Sequence, residues 1–422
     1  MKQFSSFFVL VSVLLGACTS PHEEVSPWDE TLSVEQNIAK NAIALENNED
    51  FSFLDDIVRN RSVIILGEEG HADYSTFELK LKMINYLQNR GFRSVACEGL
   101  SFITSYVFSN PKYADLTKDW TISPFVWWGS KDLLSDSQLF QSFLETMKER
   151  KIRIWGIDYY PTNYDMIAVK KILDEYSNNT LWIYWLRLVE LYFQKYAGLP
   201  ERLSVTEQYD LMRMIDRISN YTQYMMHSKG ASMELEAIMQ WIRNLNMAFS
   251  HVESLDTVEN LIANLSPVVT LGIRNRDVQM AENINWILKN FPDEKLIVWT
   301  ANFHGAKDIS QTRYPADSLL YFNIQCMGEF LHASLGDKMY SLAFTSYSKG
   351  SEAGMLEKEI AHAIDDAPFG FIDFEPLRFA DGYRDKEFGS SVIGKKSGKW
   401  LYIFDGLYYI RDQKREESIV EK

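Results

Sequence analysis

Four short segments of the chain end in residues that can handle a proton. The run "SVIIL" passes straight into "GEEGH", which sets Glu68 and Glu69 just ahead of His71. "RSVACEG" carries Glu98 near its end, "IRIWGID" closes on Asp158, and "KLIVWTAN" closes on Asn302, with His304 just beyond. A neutral imidazole, with a pKa of roughly 6.5, can take a proton from water. A carboxylate beside it fixes its tautomer and stabilises the imidazolium once formed. Glu68, His71, Glu98 and His304 are therefore the candidate catalytic set, and the chemistry they suggest is hydrolysis by an activated water. The same four side chains could instead ligate a divalent metal and lower the pKa of a bound water. Residue types alone leave both readings open. The chain has no H-E-x-x-H, G-x-S-x-G or P-loop motif, so zinc-protease, serine-hydrolase and nucleotide readings find no support.

These groups need strands to carry them. The runs at 62–68, 93–99, 152–158 and 295–302 are continuously apolar rather than alternating, as expected of strands covered on both faces. Between the first two lies "STFELKLKMINYLQNRGF", with apolar residues near helical spacing and Gly91 as a natural stop. Strand, helix, strand at this spacing predicts a βαβ unit with parallel strands. In such a sheet, functional groups gather at the carboxyl ends of the strands. Of the seven histidines, only His71 and His304 follow these strands directly.

Residues 163 to about 265 differ. Met-, Leu- and aromatic-rich patterns such as "TLWIYWLRLVELYFQKY" predict a helical insertion or cap whose stripes serve packing. After residue 335, "MYSLAFTSY", "FGFIDF" and "KWLYIFDGLYYI" read as further strands, the last two forming an antiparallel edge. The predicted class is α/β: a central, mostly parallel sheet flanked by helices, with a large helical insertion and antiparallel C-terminal edge strands.

With 422 residues and 46% apolar content, the chain can bury a sizeable core. Its formal charge of −15 argues against a nucleic-acid partner, because phosphates require basic surface. The N-terminus "MKQFSSFFVLVSVLLGACTS" has a lysine, a short apolar run and small residues in order, and reads as a secretory signal too short to span a bilayer. "LGAC" resembles the bacterial lipobox, which implies a signal peptide over 1–17, lipidation at Cys18 and a membrane partner reached through that lipid. An acidic tether is expected over 18–45, leading into a first helix, and the main domain over 46–422. Thr19 is not acidic, which gives no indication of inner-membrane retention. The expected location is the bacterial cell envelope, at the outer membrane. Cys97 and Cys326 then remain, too few for a disulfide framework, and they read as core thiols.

Taken in order, "ILGEEGH", "FELKLKMINYLQNRGFRSVACEG", "IRIWGIDYY", "RNRDVQMAENINWIL" and "VWTANFHGAKD" resemble the erythromycin esterase-like family over most of residues 55–310. The "RDxxMAxN" piece at Arg276, Asp277, Met280, Ala281 and Asn283 is the most telling. The resemblance implies an α/β fold with a cleft and a helical portion. Its esterase members hydrolyse the lactone of macrolides, so it also implies an ester or lactone hydrolase; the three tryptophans within 119–132 suit an apolar, ring-like substrate, and no cofactor is expected, with a divalent metal as the alternative. The base histidine of the family's "GExxHG" pattern falls on His71, its glutamate on Glu68, and the later strand-end glutamate on Glu98. "HNxH" falls on Ala301, Asn302, Phe303 and His304. Arg276, Asp277, Asn302, Asp158 and Trp128 are expected to bind substrate or support the site, Trp128 from the aromatic stretch "DWTISPFVWWGSKD". Three positions depart from the pattern: Ala301 replaces the first histidine of "HNxH", Ala72 the glycine after the base, and Ser75 an acidic residue. Macrolide hydrolysis is accordingly not implied. A related hydrolase, or a ligand-binding lipoprotein that keeps the cleft without the chemistry, remains open.

Overall fold

The computed structural model describes residues 25–70, 73–117, 145, 147, 149–159, 162–176, 181–196, 204–249, 267–313, 324–347, 355–394 and 396–413. Cys18, His71, Ala72 and Trp128 lie outside the described residues.

Eleven strands are described: β1 (Ile43–Leu45), β2 (Val63–Leu66), β3 (Phe92–Ser101), β4 (Arg153–Asp158), β5 (Lys295–Trp299), β6 (Thr312–Arg313), β7 (Met339–Ser346), β8 (Phe369–Asp373), β9 (Phe388–Ser390), β10 (Lys396–Gly398) and β11 (Gly406–Ile410). Eight of them form one sheet in the order β1-β8-β11-β7-β2-β5-β3-β4, and β6-β10-β9 form a small second sheet. From β11 to β4 every neighbour pairs in parallel. Only β8, against β11, and β1, against β8, run antiparallel in the large sheet.

The unbroken apolar runs follow from two cores, one on each face. Val63 and Ile65 of β2 enter one cluster, while Ile64 and Leu66 enter the other. The alternation repeats in β5, where Leu296 and Val298 face one way and Ile297 and Trp299 the other. A strand with both faces dry is mostly apolar along its length. Glu68, Asp158 and His304 accordingly stand at the carboxyl rim, at or just beyond the ends of β2, β4 and β5.

The middle of the chain is helical: Asn163–Tyr176, Leu181–Tyr196, Val205–Lys229 and Met233–Phe249 are followed by the long helix Pro267–Asn290. Trp182, Leu186, Val189, Met214, Ile218, Met225, Trp241 and Leu245 bury their apolar sides in the same core as one sheet face. The methionine and aromatic stripes are thus packing surface. No helix among the described residues is long and apolar enough to cross a membrane.

Two expectations need correction. The stretch expected to be tether over 18–45 is folded from Val25 onward. Ser33 and Gln36 form a capping box on the helix Val34–Ala39, and β1 pairs with β8. The polar composition concealed this because the polar groups are used internally: Asn37 is fully buried and its amide donates to the Asp29 carbonyl at 2.8 Å. Trp28 packs edge-on against Tyr383, with ring centroids 5.2 Å apart. Second, "KWLYIFDGLYYI" is not one strand. Trp400–Ile403 makes a helical turn, closed by Phe404 N–H donating to the Trp400 carbonyl at 3.2 Å, and the strand begins only at Gly406. β1, a three-residue strand in polar sequence, and the short strands β6, β9 and β10 carry no sequence signal.

Candidate active site

Two adjoining clusters occupy the carboxyl ends of β2–β5. The larger centres on Arg276, presented by the helix Pro267–Asn290. Its Nη2 donates to Glu98 Oε1 at 2.9 Å and to Asp158 Oδ2 at 2.5 Å, and its Nε donates to Asp158 Oδ1 at 3.1 Å. Glu98 and Asp158 are both buried. Two carboxylates held out of water require such a cation, because an uncompensated buried charge is costly.

Backbone geometry aims these acids. Gly99 has φ of +80°, and the β3–β4 register shifts between Cys97 and Ser101. The shift marks a bulge, a device that re-aims a side chain beside a site. It turns Gly99 N–H onto Asp158 Oδ2 at 3.1 Å. Glu98 Oε2 meanwhile accepts from Thr300 Oγ1 at 2.8 Å and from Ala301 N–H at 2.9 Å.

His304 sits in the turn Asn302–Gly305 that follows β5. Its Nδ1 lies 2.8 Å from Asp277 Oδ1. Its Nε2 lies 3.2 Å from Glu98 Oε1 and 3.0 Å from Arg276 Nη1. Burial by itself would push the imidazole pKa down, but the carboxylates of Asp277 and Glu98 override it and raise it to about 10. His304 is therefore an imidazolium at neutral pH, and in the resting site a donor rather than a base.

The second cluster holds Glu68. Its Oε2 accepts from Lys80 Nζ at 2.6 Å and from Trp299 Nε1 at 3.0 Å. Lys80 is fully buried and its ammonium lies 4.9 Å from the Trp299 ring centroid. Desolvation pulls the Lys80 pKa down against the opposing pull of Glu68. Thr300 joins the clusters: its carbonyl accepts from Lys80 Nζ at 3.3 Å while its hydroxyl holds Glu98.

Glu98, Asp158, Arg276, Asp277 and His304 thus form one connected network, with Glu68 in the cluster beside it. Asn302 has a different task. Its amide donates to the Phe344 and Val392 carbonyls, both at 2.7 Å, and its Oδ1 accepts from Phe344 N–H at 3.0 Å. It staples the turn carrying His304 to β7. The motif "RDxxMAxN" is likewise explained residue by residue. Arg276 and Asp277 face the site, Met280 and Ala281 enter the core, and Asn283 donates to the Ile157 carbonyl at 2.8 Å, next to Asp158.

Lys80 was missed in the sequence, although its spacing betrays it: it falls on the buried face with Phe77, Ile84 and Leu87. A lysine on such a face requires a buried anion. Thr300 was missed because a strand-end threonine carries no distinctive pattern. Cys97 is buried and free, and burial raises its thiol pKa, which fits the reading of a core thiol.

Three members of the alternative metal set, Glu68, Glu98 and His304, are described, and each is bound to other side chains. Their facing atoms are already engaged by Lys80, Arg276 and Asp277, and two of those partners are cations that would repel a metal. Among the described residues no group of three or more His, Cys, Asp or Glu side chains could hold one.

Known proteins bear on this arrangement. A family model described as erythromycin esterase matches residues 87–368. A relative in Bacillus subtilis (strain 168), named "Putative hydrolase YbfO", is 22% identical over 386 residues, covering 84% of this chain and 80% of its own. A Bacillus cereus protein of known crystal structure superposes with a TM-score of 0.69 at 16% identity, covering 92% of this chain and 99% of its own. A mutant of the erythromycin esterase EreC in its open conformation superposes with a TM-score of 0.60 at 15% identity, covering 89% and 98%.

Proposed function

Since the chain belongs to the erythromycin esterase family, whose members and relatives are described as esterases and hydrolases, we propose that it hydrolyses an ester or lactone of a small apolar substrate, using water activated by His71. The supporting observation is the network at the strand ends, where Glu98, Asp158, Arg276, Asp277 and His304 meet within hydrogen-bonding distance of one another.

In this reading His71 takes a proton from water and the hydroxide adds to the substrate carbonyl carbon. Arg276 and His304 offer N–H groups and positive charge where the oxyanion develops. When the tetrahedral intermediate collapses, the C–O bond to the alcohol breaks and the leaving oxygen takes the proton from His304 Nε2. Glu98 orients both donors. Glu68, compensated by Lys80, lies just beyond the end of β2, three residues before His71 in the sequence. Incubation of the full chain with a panel of esters and lactones tests the reading. Turnover that survives a chelator and disappears in His71→Ala supports it, and turnover that requires added metal contradicts it.

The replacement of a motif histidine by Ala301 favours one second reading, a binding protein that keeps the cleft. Saturable binding of an apolar ring compound with no turnover across the panel would select it. We also propose attachment to the bacterial envelope through lipid at Cys18, on the strength of "LGAC". The mass of the mature N-terminus tests it, and a chain beginning unmodified elsewhere contradicts it.

A further inference from the structure

Arg276 and Asp277 are consecutive on one helix, yet they reach opposite edges of a single ring. Asp277 Oδ1 meets His304 Nδ1 at 2.8 Å, and Arg276 Nη1 meets Nε2 at 3.0 Å. Asp277 is fully buried, and its Oδ1 is itself held by Met327 N–H at 2.7 Å, so the acceptor cannot swing away. Its Oδ2 is buried and, among the described residues, without a hydrogen-bond partner. The ring is the only cationic side chain bonded to this carboxylate among the described residues. The other edge of the ring faces two groups of opposite kind. Glu98 Oε1, at 3.2 Å, can accept from Nε2–H, while Arg276 Nη1 can donate to a bare Nε2.

We propose that Asp277 is a positioning residue that keeps the proton of His304 on Nδ1, so that Nε2 alone exchanges its proton, with Glu98 as partner of the charged ring and Arg276 as partner of the neutral one. The proposal rests on the hydrolytic reading above. When Nε2–H breaks and the leaving alkoxide gains O–H, the ring becomes neutral. Arg276 Nη1–H then donates to the freed lone pair, and the ring does not have to turn. The proton that His71 removed from water returns to Nε2 through solvent, which balances the cycle. The pairing works only because the helix offers an acid and a guanidinium side by side, and no other arginine of the described chain contacts His304.

Ring-nitrogen NMR of the full-length chain labelled at histidine tests this without substrate, so its failure is distinguishable from a failure of the hydrolytic reading. The His304 signals are assigned by their loss in His304→Gln. The expected result is that Nδ1 stays protonated at every pH at which the fold persists, and that Nε2 is the nitrogen that loses its proton. In Asp277→Asn the ratio of Nδ1–H to Nε2–H rings should fall at least tenfold. A neutral wild-type ring with its proton on Nε2 overturns the proposal, as does an unchanged ratio in Asp277→Asn. If that variant does not fold, the wild-type tautomer decides alone.

Discussion

Two of the buried charge clusters along the sheet differ in kind. At the carboxyl ends of β3–β5, one arginine serves two acids, and an imidazolium shares Glu98 with it while pairing with a third acid, Asp277. At the amino-terminal end of β11 the balance is reversed. Asp405 alone receives Lys307 Nζ and Arg378 Nη2, and its other oxygen accepts from Ser341 N–H at 2.8 Å. Burial raises the Asp405 pKa, but the two cations outweigh it and hold the carboxyl below its usual range. No histidine bonds to this second cluster among the described residues. A carboxylate saturated by two cations and a backbone amide has nothing left to exchange, and it locks β11 to β7. An imidazolium poised between an acid and a guanidinium keeps a proton that can move. Similar residue types can serve architecture or chemistry, and the ratio of acids to cations and the presence of an imidazole separate the two.

The comparison can be broken most sharply by removing one cation from each end. Arg276→Met strands Glu98 and Asp158 and is expected to cost about 3–5 kcal/mol of unfolding free energy, as for a broken buried pair. It should also abolish turnover. Lys307→Met is expected to cost less, about 1.5–3 kcal/mol, because Arg378 and Ser341 N–H still hold Asp405, and activity per folded molecule should persist. Urea unfolding followed by active-site-normalised rates distinguishes the two. Loss of rate in both variants would erase the distinction drawn here. Lys80→Met should behave like Arg276→Met in stability, and Lys80→Met combined with Glu68→Gln should recover much of the loss.

pH sharpens the contrast. The His304 pKa rises on folding from an ordinary value near 6.5 to about 10. The stabilisation from this group is therefore complete below about pH 6.5 and fades as pH climbs toward 10. Wild type should lose stability relative to His304→Gln across that window, and parallel curves for the two chains would contradict the assignment.

A smaller effect is expected from Gly67→Ala. A Cβ there would stand 2.1 Å from Asn302 Oδ1, the atom that accepts from Phe344 N–H. Overpacking of this kind costs about 1–3 kcal/mol. It should also reduce kcat by shifting the turn that carries His304, with thermal melting and initial rates as the two readouts. At the low end, Tyr224→Ser on the exposed side of Val205–Lys229 should stay within about 0.5 kcal/mol and leave rates unchanged.

Legibility from the sequence followed the physics of burial. β2 to β5 were readable because a strand dry on both faces is mostly apolar, and their carboxyl ends were readable because acidic residues break the apolar run there. Glu98, Asp158 and His304 could be anticipated for that reason. Arg276 and Asp277 were reachable only through a recurring motif, since nothing in local spacing says which helix face meets a strand end in a distant part of the chain. Lys80 was in plain view on an apolar helix face and its meaning was overlooked. Asn302 could be placed at the rim, but its binding to the Phe344 and Val392 carbonyls depends on tertiary contacts that no local pattern encodes. β1 and the turn at Trp400 failed for the opposite reason. Their few residues are too short for periodicity to outweigh composition.

The network at the carboxyl ends of β3–β5 is proposed to serve water-mediated cleavage of an ester or lactone. The most direct measurement is hydrolysis in water enriched in oxygen-18, by the full chain and by the isosteric Glu98→Gln variant at matched folded concentration. The expected result is one heavy oxygen in the acid product and a rate at least about 100-fold lower in the variant, the scale of a lost acid–base partner. Unlabelled product, or a Glu98→Gln rate equal to wild type, would contradict it.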